Sequence, residues 1–160
     1  MNLTKKLEKA INQQITAEFW SSRLYTAMSF YCEKNGLDGF AHWLRKQAEE
    51  ENEHAYKMAS FLMKRGGTVA MGKAEDTPGT WKDLADVFKA VYAHECKVSK
   101  MIDDIVTLAV AEKDRAVELF FWDFVREQIE EEETAAAIAE RIEKFGKTHL
   151  YELNQQMMSR

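Results

Sequence analysis

The sequence predicts an all-α fold: a four-helix bundle with one long crossover between the second and third helices and a short fifth helix. Three observations carry this. Proline occurs once, at Pro78, and four of the seven glycines fall between Gly66 and Gly79, so long stretches on either side run without breakers. Those stretches are rich in Ala, Glu, Lys, Leu and Met, which are good helix formers. Their apolar residues recur at spacings of three and four, the period of a buried helical stripe.

The elements follow in order. The first helix is expected from about Thr4, a side chain able to cap its start, to Asn35-Gly36, a left-handed stop. The second runs from about Asp38, read as its cap, to Arg65, with Gly66-Gly67 as terminator. The third starts near Thr80, just after Pro78-Gly79, and fades near Glu112. The fourth starts at Asp114, another cap, and ends near residue 145, before Gly146. A fifth covers roughly Lys147 to Met158. The first and last pairs are joined by a few residues each and so form antiparallel hairpins. The segment Gly66 to Gly79 is different: extended, it spans ~45 Å at ~3.3 Å per residue. The second helix is ~42 Å long at ~1.5 Å per residue. The crossover can therefore run the whole length of the bundle, one of the two known ways of wiring four helices. The 160 residues are read as one domain with enough chain to bury a core.

The core stripes contain the functional signal. In the first helix the stripe reads Leu7, Ile11, Gln14, Glu18, Ser22, Tyr25, Ser29, Cys32. In the second it reads Phe40, Leu44, Gln47, Glu51, His54, Met58, Phe61. The third gives Leu84, Phe88, Val91, Glu95, Val98, Ile102, Ile105, Ala109. The fourth gives Val117, Phe121, Phe124, Gln128, Glu131, Ala135, Ile138, Ile142, Phe145. Each is interrupted by a glutamate close to its midpoint: Glu18, Glu51, Glu95 and Glu131. Four aligned helices bring these to one level whatever their directions. His54 joins them one turn beyond Glu51, and Gln128 lies one turn before Glu131.

One glutamate on a core stripe is ordinarily a snorkelling surface residue. Four at mid-helix, with a histidine, are not. Burying an unpaired carboxylate costs several kcal/mol, and like charges add to it. Protons, water, basic partners or metal must compensate, and the stripes carry no Lys or Arg at this level. Divalent metal is the simplest compensator. Four carboxylates and one imidazole can hold two ions with Glu51 bridging, and this oxygen-rich set suits iron or manganese better than a closed zinc site.

Other classes are disfavoured. The formal net charge of −5 argues against a nucleic-acid or anionic-membrane surface. No apolar run approaches spanning length, and the charged start, Met1 to Ala10, shows no secretory signal. Cys32 and Cys96 form no CxxC, so a reduced, cytoplasmic thiol pair is expected.

At these residues the chain resembles the ferritin-like di-iron carboxylate superfamily, and more narrowly the bacterial non-haem ferritins. Glu18 and Glu95 resemble the single glutamates of two helices, and Glu51-Asn52-Glu53-His54 resembles one ExxH motif. The second ExxH is absent, because Thr134 stands three residues after Glu131. Bacterioferritins and rubrerythrins carry both. Asn52 replaces the haem-binding methionine of bacterioferritins, so no haem is expected. The segments AEFWSSRLY, AEEENEH, YAHEC and VREQIEEEE also look like bacterial ferritin, and the likeness covers essentially the whole chain.

The resemblance implies a ferroxidase and iron store. One iron would use Glu18, Glu51 and His54. The other would use Glu51, Glu95 and Glu131, with Gln128 nearby. A third would use Glu50, Glu127, Glu130 and Glu131; Glu50, Glu127 and Glu130 also fit an ordinary solvated acidic face. Tyr25, on the stripe of Glu18, resembles the tyrosine that accompanies ferritin sites and could supply an electron; a buried aromatic with a satisfied hydroxyl is the plain alternative. Iron(II) would be oxidised by dioxygen or peroxide and mineralised inside a homo-oligomeric cage of twenty-four subunits. The competing functions are a non-storage di-iron peroxidase or oxidoreductase, a DNA-protecting mini-ferritin, and a non-catalytic helical interaction module. His94 is expected on the surface, and Trp122 is expected to pack in the core.

Overall fold

The computed structural model describes residues 3–160. It contains five helices: α1 Lys5–Lys34, α2 Asp38–Lys64, α3 Leu84–Ala111, α4 Arg115–Phe145 and α5 Leu150–Met157. No strand occurs among the described residues. Thr4 caps α1 by accepting from the Leu7 backbone N–H at 3.3 Å. Asp114 caps α4 by accepting from Val117 N–H at 3.1 Å. Gly36 and Gly66 adopt φ of 73° and 78° just past the ends of α1 and α2, the left-handed turn that releases a chain from a helix.

Three starts differ from the sequence reading, and the simplest is α5, which begins at Leu150 rather than near Lys147. Asp38 is not the cap of α2; it is the first helical residue, and the Leu37 cap offers no side-chain acceptor. Asn154 of α5 takes that place, its Oδ1 accepting from Gly39 N at 2.9 Å and Phe40 N at 3.2 Å. Helix α3 starts at Leu84 rather than near Thr80. Asp83 is its cap, accepting from Asp86 N at 2.8 Å. Trp81 instead packs edge-on against Tyr31 of α1, ring centroids 5.6 Å apart, which holds the incoming chain outside the helix.

The crossover lies along α1. Asn12 Nδ2 donates to Thr68 O at 2.9 Å, and Ala70 N donates to Asn12 Oδ1 at 2.8 Å. Farther along, Trp20 Nε1 donates to Glu75 O at 2.8 Å, and Trp81 meets Tyr31. The chain thus returns to the end where α2 began. Helices α2 and α3 therefore run the same way, while α1 and α4 run the other.

The apolar interior falls into two clusters. One contains Met28, Phe40, Leu44, Phe88, Ala135 and Leu153 among others. The second contains Leu7, Ile11, Met58, Leu62, Ile102 and Phe121 among others. In every long helix the mid-stripe polar residue falls between the segments that feed these clusters, so a polar layer crosses the bundle at mid-height. The α1 stripe is buried from Leu7 to Cys32. Phe145, at the end of the α4 stripe, is exposed because the chain turns away there towards α5.

Candidate metal centre

The polar layer is built from one turn of each long helix. On α1, Gln14 Nε2 donates to Glu18 Oε1 at 2.8 Å across one helical turn. On α2, the i, i+3 spacing sets His54 Nδ1 3.3 Å from Glu51 Oε2. The same nitrogen lies 3.8 Å from Glu18 Oε2. Glu18, Glu51 and His54 are all buried, and each offers one ligand atom within 4.8 Å of the others. Glu18 Oε2 has no hydrogen-bond partner, and neither does Gln14 Oε1. A buried carboxylate oxygen without a partner is costly. Aimed at a second carboxylate and an imidazole, it fits a divalent cation of the iron or manganese kind.

The other half of the layer is closed by hydrogen bonds. The Tyr25 hydroxyl donates to Glu95 Oε1. Gln128 Nε2 approaches Glu95 Oε2 at 3.1 Å and Ser99 Oγ at 3.2 Å. Glu131, half-buried, accepts from Gln47 Nε2 at 2.8 Å. Glu127 Oε1 lies 2.9 Å from His54 Nε2, so one imidazole edge faces Glu18 and Glu51 while the other is held by Glu127. Glu50, Glu127, Glu130 and Glu131 line a cleft of about 490 Å³ beside this layer.

Burial and mutual contacts shift the titration of the groups in this layer. Burial, with the Glu18 and Glu95 charges, pushes Glu51 well above the carboxylate range despite its contact with His54. Burial also raises Glu95 to about 7, although the Tyr25 and Gln128 hydrogen bonds hold it down. Burial alone would lower His54, but its contacts with Glu127, Glu18 and Glu51 raise it to about 12. Burial would raise Glu18, yet polar contacts with His54, Glu51 and Gln14 outweigh it and leave its carboxyl lowered. The shifts move His54 towards its cationic form and Glu51 and Glu95 towards their protonated forms, the direction of compensation that burial demands.

Several surroundings differ from the sequence reading. His94 is not a free surface residue: its ring packs on Trp20 and edge-on against Tyr25, and Nε2 lies 2.7 Å from Ser21 Oγ. Trp122 is not a core residue but is exposed. Gln14 and Gln47 stood on the stripes without a role, yet each contacts a glutamate of the layer. Their signal was visible, since each precedes the glutamate of its own helix by four residues. A basic residue, Arg160, also reaches the rim of the layer by donating to Glu50 at 2.7 Å. It lies past the last helix, where no periodicity could reveal it.

A model of the ferritin-like domain family matches residues 8–145. The chain belongs to the ferritin family. It is 47% identical over 158 residues to a bacterial non-heme ferritin of Bacteroides fragilis, covering 99% of both chains. It is 33% identical to a bacterial non-heme ferritin of Campylobacter jejuni, over 90% of this chain and 86% of that one. Its fold superimposes on the open pore ferritin of the archaeon Archaeoglobus fulgidus with a TM-score of 0.97 at 38% identity, over 99% of this chain and 98% of that one. The single long crossover is the wiring of ferritin-like folds.

Proposed function

We propose that this chain is an iron-storage ferritin that oxidises Fe(II) to Fe(III) at an intrasubunit di-iron site. The observation that carries the reading is the convergence of Glu18, Glu51 and His54 around the unpartnered Glu18 Oε2 in an otherwise packed core. These three would receive one ferrous ion. Glu51, Glu95 and Glu131 would receive the second, with Glu51 shared and Gln128 restraining Glu95. Glu50, Glu127, Glu130 and Glu131 would form an outer cation site in the cleft.

The residues have separate tasks in this reaction. Two ferrous substrate ions give up one electron each to dioxygen or peroxide. The anionic carboxylates favour the ferric product over the ferrous substrate because their attraction grows with the ion's charge. Glu127 fixes the imidazole so that Nδ1 faces the inner carboxylates, the arrangement by which second partners tune metal-binding histidines. Tyr25 would donate its hydrogen bond to Glu95 and lie within reach as an electron donor.

Storage needs an enclosed volume that one bundle lacks. Large exposed apolar side chains on α1, α2 and α4, including Phe30, Tyr56, Leu119 and Ile129, support further burial by self-assembly, here into a cage of twenty-four copies. The free cysteines Cys32 and Cys96 suit the reducing cytoplasm, and no described helix is long and apolar enough to cross a membrane.

The test is aerobic iron loading followed by size-exclusion chromatography, recording protein and ferric absorbance together. Co-elution of many ferric ions per chain with a very large assembly is expected. A monomer or dimer holding about two ions per chain, as the di-iron stoichiometry requires, would overturn storage and make the chain a di-iron oxidoreductase.

A further inference from the structure

Past α5 the chain folds back over the start of α2. His42 Nε2 lies 2.9 Å from the backbone oxygen of Arg160. The Arg160 guanidinium sits 4.6 Å over the ring of Trp43. Its Nη1 donates to Gln47 Oε1 at 2.6 Å, and its Nη2 donates to Glu50 Oε2 at 2.7 Å. Gln47 in turn donates to Glu131 at 2.8 Å. One guanidinium is therefore bonded directly to Glu50 and, through Gln47, tied to Glu131. Both acids line the cleft that Glu127 and Glu130 complete.

We propose that Arg160 is a displaceable counter-ion of this cleft: it stands where a cation is required among Glu50, Glu127, Glu130 and Glu131, and a divalent metal ion entering the cleft must exchange with it. The inference rests on the reading of the cleft as an outer cation site. Four carboxylates around one opening repel each other, and a fixed positive charge relieves that repulsion while no metal is present. Arg141 also lines the cleft, but among the described residues it makes no ion pair with the four acids. His54 engages Glu127 from the inner side at 2.9 Å, and Arg160 is the cation engaged with Glu50 at the outer rim. A guanidinium 2.7 Å from Glu50 Oε2 places a positive charge beside the position a metal ion would take, and the two cations repel. The Arg160 side chain is 26% exposed and lies beyond the last helix, so it can leave without breaking helical hydrogen bonds. Its departure would free Trp43 of the overlying charge.

Zinc titrations of the full assembled protein test this, because Zn²⁺ occupies oxygen and nitrogen sites without being oxidised. Wild type, Arg160→Gln and Arg160→Lys are compared by calorimetry and by tryptophan fluorescence, with Trp43→Phe identifying the Trp43 signal. Removing the competing charge in Arg160→Gln is expected to tighten the outer zinc step by about three- to fivefold, the scale of one partly screened charge pair. The inner step should move by less than about twofold, and Arg160→Lys, which keeps the charge, should stay close to wild type. Filling the outer site should change Trp43 emission in wild type and not in Arg160→Gln. An outer step that is unchanged or weaker in Arg160→Gln overturns the exchange while leaving the outer site standing. No outer step in any of the chains overturns both the exchange and the outer-site reading.

Discussion

Glu127 holds the outer edge of His54: its Oε1 lies 2.9 Å from Nε2, while Nδ1 faces Glu51 and Glu18 at 3.3 and 3.8 Å. The carboxylate fixes the ring and favours a metal-binding Nδ1 when the imidazole is neutral. Glu127→Gln keeps an acceptor but loses the charge. Inner-site affinity for a divalent ion should fall about tenfold, and Glu127→Ala should lower it by up to about a hundredfold. Calorimetric titration with Zn²⁺ reads this directly. If only the outer step disappears and the inner affinity holds, Glu127 is a ligand of the outer ion and does not serve His54.

The layer was legible in the sequence because its members interrupt stripes that are otherwise apolar. Glu18, Glu51, Glu95 and Gln128 break runs whose neighbours are buried on every turn. Partners that follow no helical period were hidden. Arg160 reaches Glu50 from beyond α5, and Asn154 caps α2 from α5, contacts made by tertiary return of the chain. His94 was misread because neighbours on a helix lie about 100° apart. That rotation carried it out of the core stripe but under Trp20 of α1 rather than into solvent. The start of α3 was misplaced because a packed Trp81 overrode the proline-glycine signal four residues ahead of Asp83.

The docking of α5 on α2 should depend on Gly39. A Cβ there would sit 1.7 Å from the backbone oxygen of Asn154, and a backbone atom cannot swing aside as a side chain can. Gly39→Ala should therefore detach α5 and expose Leu153. Asn154→Ala should leave α5 docked but remove the cap of α2, costing about 1 kcal/mol. Amide exchange distinguishes the two: fast exchange throughout α5 in Gly39→Ala, and faster exchange confined to Gly39 and Phe40 in Asn154→Ala. Protected α5 amides in Gly39→Ala would refute the close-approach argument.

Metal binding should release protons. Glu51 is raised well above its ordinary value, Glu95 is near 7, and His54 is near 12, yet a cation needs all three donors unprotonated. Affinity for Zn²⁺ should accordingly rise with pH, most visibly as Glu95 ionises around pH 7. Calorimetry in two buffers of different ionisation heat counts the protons, and a count of zero at pH 6.5 would contradict the shared-proton layer. The same shifts act on folding. A carboxyl raised in the folded state destabilises it when ionised, so Glu51 and Glu95 favour folding more as pH falls from above 7 towards 5. The raised His54 stabilises fully below about 6.5, its ordinary value, and loses that contribution as pH rises towards 12. Both trends make the metal-free protein less stable on the alkaline side, which thermal unfolding in chelator across pH 5.5–8.5 can check.

Far from the metal layer, the turn between α3 and α4 is fastened to the end of α2. Arg65 Nη1 and Nη2 donate to Asp114 Oδ1 and Oδ2 at 3.0 and 2.8 Å, and Asp114 Oδ1 also caps α4 through Val117 N–H. The Arg65 hydrogen bonds, helped by the cap and opposed by burial, hold the Asp114 carboxyl below its ordinary value. A depressed carboxyl stabilises the fold above the unfolded-state value near 4, and that stability is lost as pH falls through the lower, folded value. Asp114→Asn keeps a capping oxygen and removes the charge, whereas Asp114→Ala removes both. The alanine variant should lose about 2–4 kcal/mol, and the asparagine variant roughly 1 kcal/mol less than that, the contribution of the cap. The difference between wild type and Asp114→Asn should persist at pH 7 and shrink below pH 4. Equal losses for the two variants at pH 7 would mean that the cap contributes nothing, and a gap that survives undiminished at pH 3 would mean that the ion pair does not set the pH dependence.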